Sequence, residues 1–256
     1  MKIYAYGSKG AGKTIGEDSI MAGNGILSEG YLETEAGEKN VIAICDGVGG
    51  NNAGDEASML ALKGIREARF LKGVDEQYIA NSIQKINNDI LDISGSHEKF
   101  FGMATTMTGL YTDNERSIMF HIGNCRLYVA NGAYLRQISE DHTNVSKWVR
   151  LGVMTRAEAE NHPEKNVIYA CLGGGKPEYC APLTVTDISK NIGTDRDILL
   201  TSDGIHDYVD QDSLEKIMLS EKPVRERFLE LTELARKNGS TDDASVVFFD
   251  RGMQRD

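Results

Sequence analysis

The stretch Val41–Gly50, VIAICDGVGG, constrains this chain more than any other. Its first five residues, Val41 to Cys45, are a short apolar run that reads as a buried strand. The run ends on Asp46, and Gly47, Gly49 and Gly50 follow. A carboxylate at the end of a buried strand is costly to leave unpaired. The glycines let the backbone turn sharply and let another group come close. Two readings fit these ten residues. Asp46 and a neighbouring main-chain carbonyl could hold a cation, or Asp46 could accept a backbone amide in a tight strand-to-loop turn. Two other predicted strands also carry Asp at an end, which favours the cation.

Composition is compatible with that reading. The chain has 256 residues, 40% hydrophobic and 26% charged, enough for a sizeable core in one domain spanning 1–256. Lys and Arg number 28 against 39 Asp and Glu, a formal net charge of -11. Such a balance argues against a nucleic-acid or anionic-membrane surface and suits clustered carboxylates that bind metal. The four Cys (Cys45, Cys125, Cys171, Cys180) include no C-x-x-C pair, so buried thiols in a reducing, cytoplasmic compartment are expected. The N-terminal MKIYAYGSKG lacks the apolar region of a signal peptide, and no apolar run approaches the ~20 residues that span a bilayer.

Lys2–Tyr6 alternates and predicts a strand. Gly7 to Thr14, GSKGAGKT, fits the P-loop pattern G-x-x-x-x-G-K-[ST] letter for letter. That pattern needs a helix next, to hold phosphate at its N-terminus. The following IGEDSIMAGNGILSEG has four glycines and no helical period, so the match reads as accidental, with a nucleotide site as the minority reading. Lys13 then becomes a cation that could face a phosphate, four residues before the acidic pair Glu17-Asp18. Ile26–Thr34 predicts one strand before the central one. Glu56–Leu71 and Val74–Ile93 carry helical apolar stripes.

Gly102–Thr112, Ser117–Ile122, Cys125–Ala130 and Ala133–Ile138 read as strands, the last two joined by the hairpin pair Asn131-Gly132. Short turns between them imply antiparallel pairing. Asp141–His162 reads as an irregular insertion, with a capping box at Thr155–Glu158. Val167–Cys171 and Leu183–Ile188 predict strands. Arg196–Ser202 is another apolar strand and ends at Asp203-Gly204, repeating the Asp46-Gly47 arrangement, with Asp207 four residues on. Leu214–Leu219 and Val224–Lys237 predict helices, and Asp242-Asp243 precedes a terminal strand, Ala244–Phe249.

Three strand ends and one N-terminal pair thus present carboxylates. All-oxygen clusters select hard ions such as Mg²⁺ or Mn²⁺. Two such ions about 3.5–4 Å apart can activate a water and clamp a phosphate. The five His are scattered and have no zinc spacing.

In this order the motifs Glu17-Asp18, DGVGG (Asp46–Gly50), GMATT (Gly102–Thr106), GNCRLY (Gly123–Tyr128), the block Asp141–Gly175, LLTSDGIHD (Leu199–Asp207) and TDDAS (Thr241–Ser245) cover nearly the whole chain. The chain resembles the protein phosphatase 2C family, the metal-dependent PPM-type Ser/Thr protein phosphatases, in its compact bacterial form. The resemblance implies an α+β fold, a four-layer αββα sandwich of two antiparallel sheets flanked by helices. It implies two Mn²⁺ or Mg²⁺ ions held by Asp46, the Gly47 carbonyl, Asp203, Asp242, Glu17 and Asp18. A metal-bridging hydroxide would attack phosphorus directly. Asp46 and Lys13 become the candidate catalytic residues. Asp141–His162 becomes a flap, with Val145, Trp148 and Arg150 beside Lys13 as substrate-binding candidates. Val48 stands where some members carry a His that protonates the leaving group.

Three positions depart from the family pattern. Lys13 replaces an Arg and loses bidentate geometry. Asn124 replaces an Asp that would join the residue matching Asp207 at a third metal, so a third metal is doubtful. Asp243 replaces an Asn, while Asp242 is retained. The expected activity is hydrolysis of phosphoserine and phosphothreonine in proteins, with phosphorylated proteins and a cognate Ser/Thr kinase as partners, no nucleic acid, no membrane, and a monomeric chain. The alternative is a catalytically weak member that binds phosphoproteins as a regulatory module.

Overall fold

Period-two alternation shapes the strands. β1 (Lys2–Ser8) alternates half-buried and buried residues along its length. The strands that follow are β2 (Ser19–Ala22), β3 (Gly25–Leu27), β4 (Gly30–Glu35), β5 (Asn40–Cys45), β6 (Gly47–Val48), β7 (Ala104–Thr105), β8 (Met107–Thr112), β9 (Ser117–Ile122), β10 (Arg126–Asn131), β11 (Tyr134–Gln137), β12 (Leu172–Gly173), β13 (Thr184–Asp187), β14 (Ile198–Thr201) and β15 (Ala244–Asp250). The helices are α1 (Gly54–Ala68), α2 (Glu76–Ser96), α3 (Asn144–Arg150), α4 (Arg156–Glu160), α5 (Ser189–Ile192), α6 (Asp203–His206), α7 (Gln211–Met218) and α8 (Val224–Lys237). This computed structural model describes residues 1–48, 53–70, 74–160, 162–174, 183–193 and 196–252. The readings made at Gly49, Gly50, Leu71, Gly175 and Cys180 lie outside the described residues.

Two six-stranded antiparallel sheets form, in the orders β11-β10-β14-β15-β1-β4 and β13-β9-β8-β5-β2-β3. Three short strands, β12-β7-β6, make a small third sheet. The two faces of each strand go to different cores. Val247 and Phe249 of β15 meet Ile42 and Ile44 of β5 between the large sheets. Val246 and Phe248 point the other way, onto Phe228 and Leu231 of α8 and Leu214 of α7. Ala43 and Cys45 back onto Leu62 and Ile65 of α1 and Ile83 and Ile86 of α2. These are the four αββα layers that the motif order implies.

Several boundaries differ from the sequence pattern. Ile26–Thr34 is not one strand. It breaks before Gly30, whose φ of 101° is open to glycine, and β3 and β4 lie in different sheets. Gly102–Thr112 breaks at Thr106, because β7 turns aside to pair with β6 while β8 pairs with β5. Val167–Cys171 makes only an isolated bridge, Thr143 to Ile168. Its Val167 and Tyr169 amides go instead to the carbonyls of Glu164 and His142. β2 has only four residues, all buried, too short to show a period. The insertion at 141–162 carries α3 and α4, and the capping box at its second helix is present: Thr155 N–H donates to Glu158 Oε2 at 2.8 Å.

Phe228 is fully buried where α8 meets β1, β4 and β15, with Tyr6 and Tyr31 rings 6.4 and 6.5 Å away. Truncating it, Phe228→Ala, is expected to lower unfolding free energy by about 3–5 kcal/mol in urea melts. A loss below about 1 kcal/mol would mean that α8 is not held by this contact.

Candidate metal centre

The large sheets bring their strand ends together at one edge. Asp18 immediately precedes β2 and Asp46 immediately follows β5, and the two strands pair in register, Ser19 opposite Cys45. Asp203 begins α6 just after β14, and Asp242-Asp243 lead into β15, which pairs with β14. The four acidic stretches seen in the sequence therefore meet.

Backbone groups hold Asp46 in place. Its carbonyl accepts Thr106 N–H at 2.8 Å and Thr105 Oγ1–H at 3.0 Å, and its own N–H donates to Thr106 Oγ1 at 3.1 Å. Its carboxylate is thereby left for other partners. Gly47 packs directly on Gly54: a Cβ on Gly47 would lie 2.5 Å from the Gly54 carbonyl carbon. A Cβ on Gly54 would lie 2.9 Å from Glu17 Oε1. Both positions must be glycine for the chain to close around Glu17. The Glu17 carbonyl accepts Gly47 N–H at 3.2 Å and Ser58 Oγ–H at 2.7 Å, which ties the N-terminal loop to α1.

Asp243 does more than its place in the sequence suggested. It is 3% exposed, accepts Gly10 N–H at 2.7 Å on Oδ1, and accepts Glu17 N–H at 2.6 Å on Oδ2. It staples both ends of the 10–17 loop to β15. Gly204 lies so close to this segment that a Cβ there would be 1.9 Å from the Asp243 carbonyl oxygen. Lys13 Nζ donates to Asp242 Oδ1 at 2.7 Å, Asp243 Oδ2 at 3.1 Å and Glu17 Oε2 at 3.2 Å. Burial would lower the Lys13 pKa, but hydrogen bonds and charges from Asp242 and Asp243 outweigh it and raise it. No helix follows Thr14, so the GSKGAGKT stretch has none of the helix N-terminus that a nucleotide-binding P-loop uses.

The carboxylates repel one another. Burial, together with the charges of Asp203, Asp18 and Asp242, raises the Asp46 pKa well above the usual carboxylate range. Burial pushes Asp18 up to about 7, the nearby Asp243 and Asp203 charges adding to it. Asp203 rises to about 6, through burial and then the charges of Asp242 and Asp207. One oxygen each of Asp18 and Asp203, Oδ2 and Oδ1, is buried without a hydrogen-bond partner. Among the described residues no three His, Cys, Asp or Glu side chains yet converge into a finished ligand cage. The chemistry nevertheless fits a hard divalent cation: the donors are all oxygen, two are orphaned, and Asp18, Asp46 and Asp203 crowd one another with like charge.

The third site expected to be doubtful looks different. Asn124 uses its amide as a donor, Nδ2 to Asp203 Oδ2 at 2.9 Å. Asp207 lies near Arg126 and Lys165 and accepts from Asn166, while burial raises its pKa. Arg126 also grips Asp141 through Nε and Nη2, at 2.7 to 3.1 Å, which fixes the root of the 141–162 segment. Of the proposed substrate contacts on that segment, Val145 is a correction. It is 5% exposed and serves as the buried residue of α3, leaving it no surface to offer. Trp148 is half-buried against His162, ring centroids 5.3 Å apart, and Arg150 is exposed, 3.2 Å from Glu140. Asp243, Thr105, Thr106 and Ser58 escaped the sequence reading as site-builders. The only available signal was the Thr pair within GMATT.

A sign follows for pH. Asp18, Asp203 and Asp46 bind protons more tightly when folded than when unfolded. The folded state therefore holds more protons between the unfolded pKa near 3.8 and the raised values. In EDTA this cluster's contribution to stability falls as pH rises through that window and is regained as pH falls. Saturating Mn²⁺ should oppose that trend, because metal binding releases the protons. Melting temperatures in EDTA and in Mn²⁺, compared between about pH 5.5 and about pH 7.5, should diverge as pH rises. Parallel curves would show that these carboxylates do not take up the metal.

Comparison with known proteins agrees with this geometry. The family described as Protein phosphatase 2C matches residues 24–244. A Serine/threonine phosphatase stp of Listeria monocytogenes is 28% identical over 223 residues, covering 83% of this chain and 85% of that protein. The crystal structure of the Mycobacterium tuberculosis serine/threonine phosphatase PstP/Ppp has a TM-score of 0.79 at 28% identity, covering 97% of this chain and 98% of that one. A structure of the PstP catalytic domain in complex with 2 manganese ions has a TM-score of 0.75 at 26% identity, covering 97% and 98%. With the family match spanning most of the chain and the strand-end carboxylates gathered at one edge, the chain belongs to the protein phosphatase 2C family of metal-dependent Ser/Thr protein phosphatases.

Proposed function

We propose that residues 1–256 act as one catalytic domain that hydrolyses phosphoserine and phosphothreonine in proteins with two Mn²⁺ or Mg²⁺ ions. The observation that carries this reading is the gathering of Asp18, buried, with Asp46 and Asp203, half-buried, in mutual repulsion at the joined strand ends. Asp46, Asp203, Asp242, Glu17, Asp18 and the Gly47 carbonyl would hold the ions. When bound, the two ions lower the pKa of water and neutralise phosphoryl charge. Thr105 and Thr106 orient Asp46 by fixing its backbone. Asn124 orients Asp203 and, as a donor, disfavours a third cation beside it. Val48 offers no proton to the leaving group. Trp148 and Arg150 are the flap residues placed to meet a peptide, and Arg150 keeps its charge available because an exposed ion pair with Glu140 is worth little.

Phosphorylated proteins, and a cognate Ser/Thr kinase acting on the same sites, are the partners that fit this chemistry, with the chain working as a monomer. Cys45 and Cys125, buried free thiols, suit a reducing cytoplasm. No helix among the described residues is long and apolar enough to cross a membrane.

The test is hydrolysis of a phosphothreonine peptide with Mn²⁺ and with EDTA, for wild type and Asp203→Asn. Metal-dependent turnover that drops about 100-fold or more in the variant is expected. A folded wild type with no turnover at any Mn²⁺ concentration would end the catalytic reading and favour a phosphoprotein-binding module.

A further inference from the structure

Lys13 stands among groups that a cation would need. Its ammonium carries three N–H donors, and all three find carboxylates: Asp242 at 2.7 Å, Asp243 at 3.1 Å and Glu17 at 3.2 Å. Two of these, Glu17 and Asp242, belong to the ligand set proposed above, and Asp243 does not. We infer that Lys13 is a built-in counter-ion of the metal centre, which neutralises Glu17 and Asp242 before a cation arrives, yields them when it binds, and stays tethered to Asp243. This inference rests on the two-ion reading of the site.

The three carboxylates are not equivalent. Asp243 is buried, and both its oxygens are already committed to backbone amides, Gly10 on Oδ1 and Glu17 on Oδ2. It cannot turn toward a metal without releasing the 10–17 loop. Glu17 and Asp242 have side chains 24% and 47% exposed, so each has solvent to rotate through. Lys13 holds one oxygen of each ligand carboxylate, Glu17 Oε2 and Asp242 Oδ1, and a divalent ion bound to the same groups would repel the ammonium. That repulsion loosens its hold on both, and Asp243 gives the ammonium somewhere to remain. The turn carrying Lys13 faces open space at Gly12, φ 83°, where no atom lies within 4 Å of where a Cβ would stand.

Apparent metal affinity is then lowered by the fraction of molecules in which Lys13 holds the ligands. Removing the ammonium should tighten metal binding while weakening the metal-free protein. A merely structural lysine would weaken both. A lysine that only meets substrate would change neither.

Mn²⁺ affinity is measured from the EPR signal of the free aquo ion, for wild type, Lys13→Gln and Lys13→Arg. Lys13→Gln is expected to bind Mn²⁺ about tenfold more tightly than wild type. Its melting temperature in EDTA should be lower, and its rise on adding Mn²⁺ larger. Lys13→Arg keeps the charge and should stay near wild type. Equal or weaker Mn²⁺ binding by a folded Lys13→Gln overturns the inference and leaves the two-ion reading standing. Absence of Mn²⁺ binding by wild type overturns both. A second readout needs no variant. The Lys13 ammonium cross-peak in ¹H–¹⁵N spectra, sheltered in EDTA, should shift or broaden on adding Mg²⁺. A cross-peak that Mg²⁺ leaves unchanged overturns the inference.

Discussion

Like charge held out of water is the constraint on which this molecule depends. Asp18, Asp46 and Asp203 lie at the joined ends of two sheets, where burial and mutual repulsion disfavour their ionised forms. No hydrophobic packing calls for carboxylates there. The surrounding fold supplies the stability that keeps them together: an apolar layer between the sheets and one on either side. In the apo protein these carboxylates therefore cost stability that the rest of the fold must supply.

The scaffold limits motion at the backbone and leaves side chains free. Thr105 and Thr106 spend their hydroxyl and amide groups on the Asp46 main chain. Asp243 spends its carboxylate on the amides of Gly10 and Glu17. Gly47, Gly54 and Gly204 let main chain lie against main chain where any Cβ would collide. Each device fixes where a ligand begins without occupying the oxygen that would bind. The same arrangement explains why one residue can be both close to the ligand set and outside it. Asp243 neighbours Asp242 in sequence yet faces the loop, with Lys13 between them.

Much of this was legible in order and spacing. Apolar runs ending on Asp46 and Asp203 pointed to where the carboxylates gather, because the same strand-then-Asp-Gly arrangement occurs twice. α8 matched its predicted range, since its apolar stripe is long and capped by a chain turn at Pro223. Short elements were harder. β2 has four buried residues and no exposed face, so no period exists to read. β6 and β7 have two residues each and owe their existence to each other. Val167–Cys171 is apolar enough for a strand, but the Val167 and Tyr169 amides found partners in the Glu164 and His142 carbonyls instead. Val145 was read as a surface contact because a sequence does not say which side of a seven-residue helix faces in. The staple at Asp243 was invisible for a different reason: its partners are main-chain groups more than 220 residues away.

β15 sits in the interior of its sheet, hydrogen-bonded to β14 on one side and to β1 on the other. It is the last strand of the described chain to be made, and the first strand is its neighbour. While residues 242–250 are still inside the ribosome, β1 with β4 and β10 with β14 can exist only as separate pieces, their facing edges unpaired. The same segment carries Asp242 and the Asp243 staple. A chain without residues 242–250 is left with two unpaired sheet edges and without the staple that holds the 10–17 loop, so sheet closure and the gathering of the strand-end carboxylates depend on the same short segment.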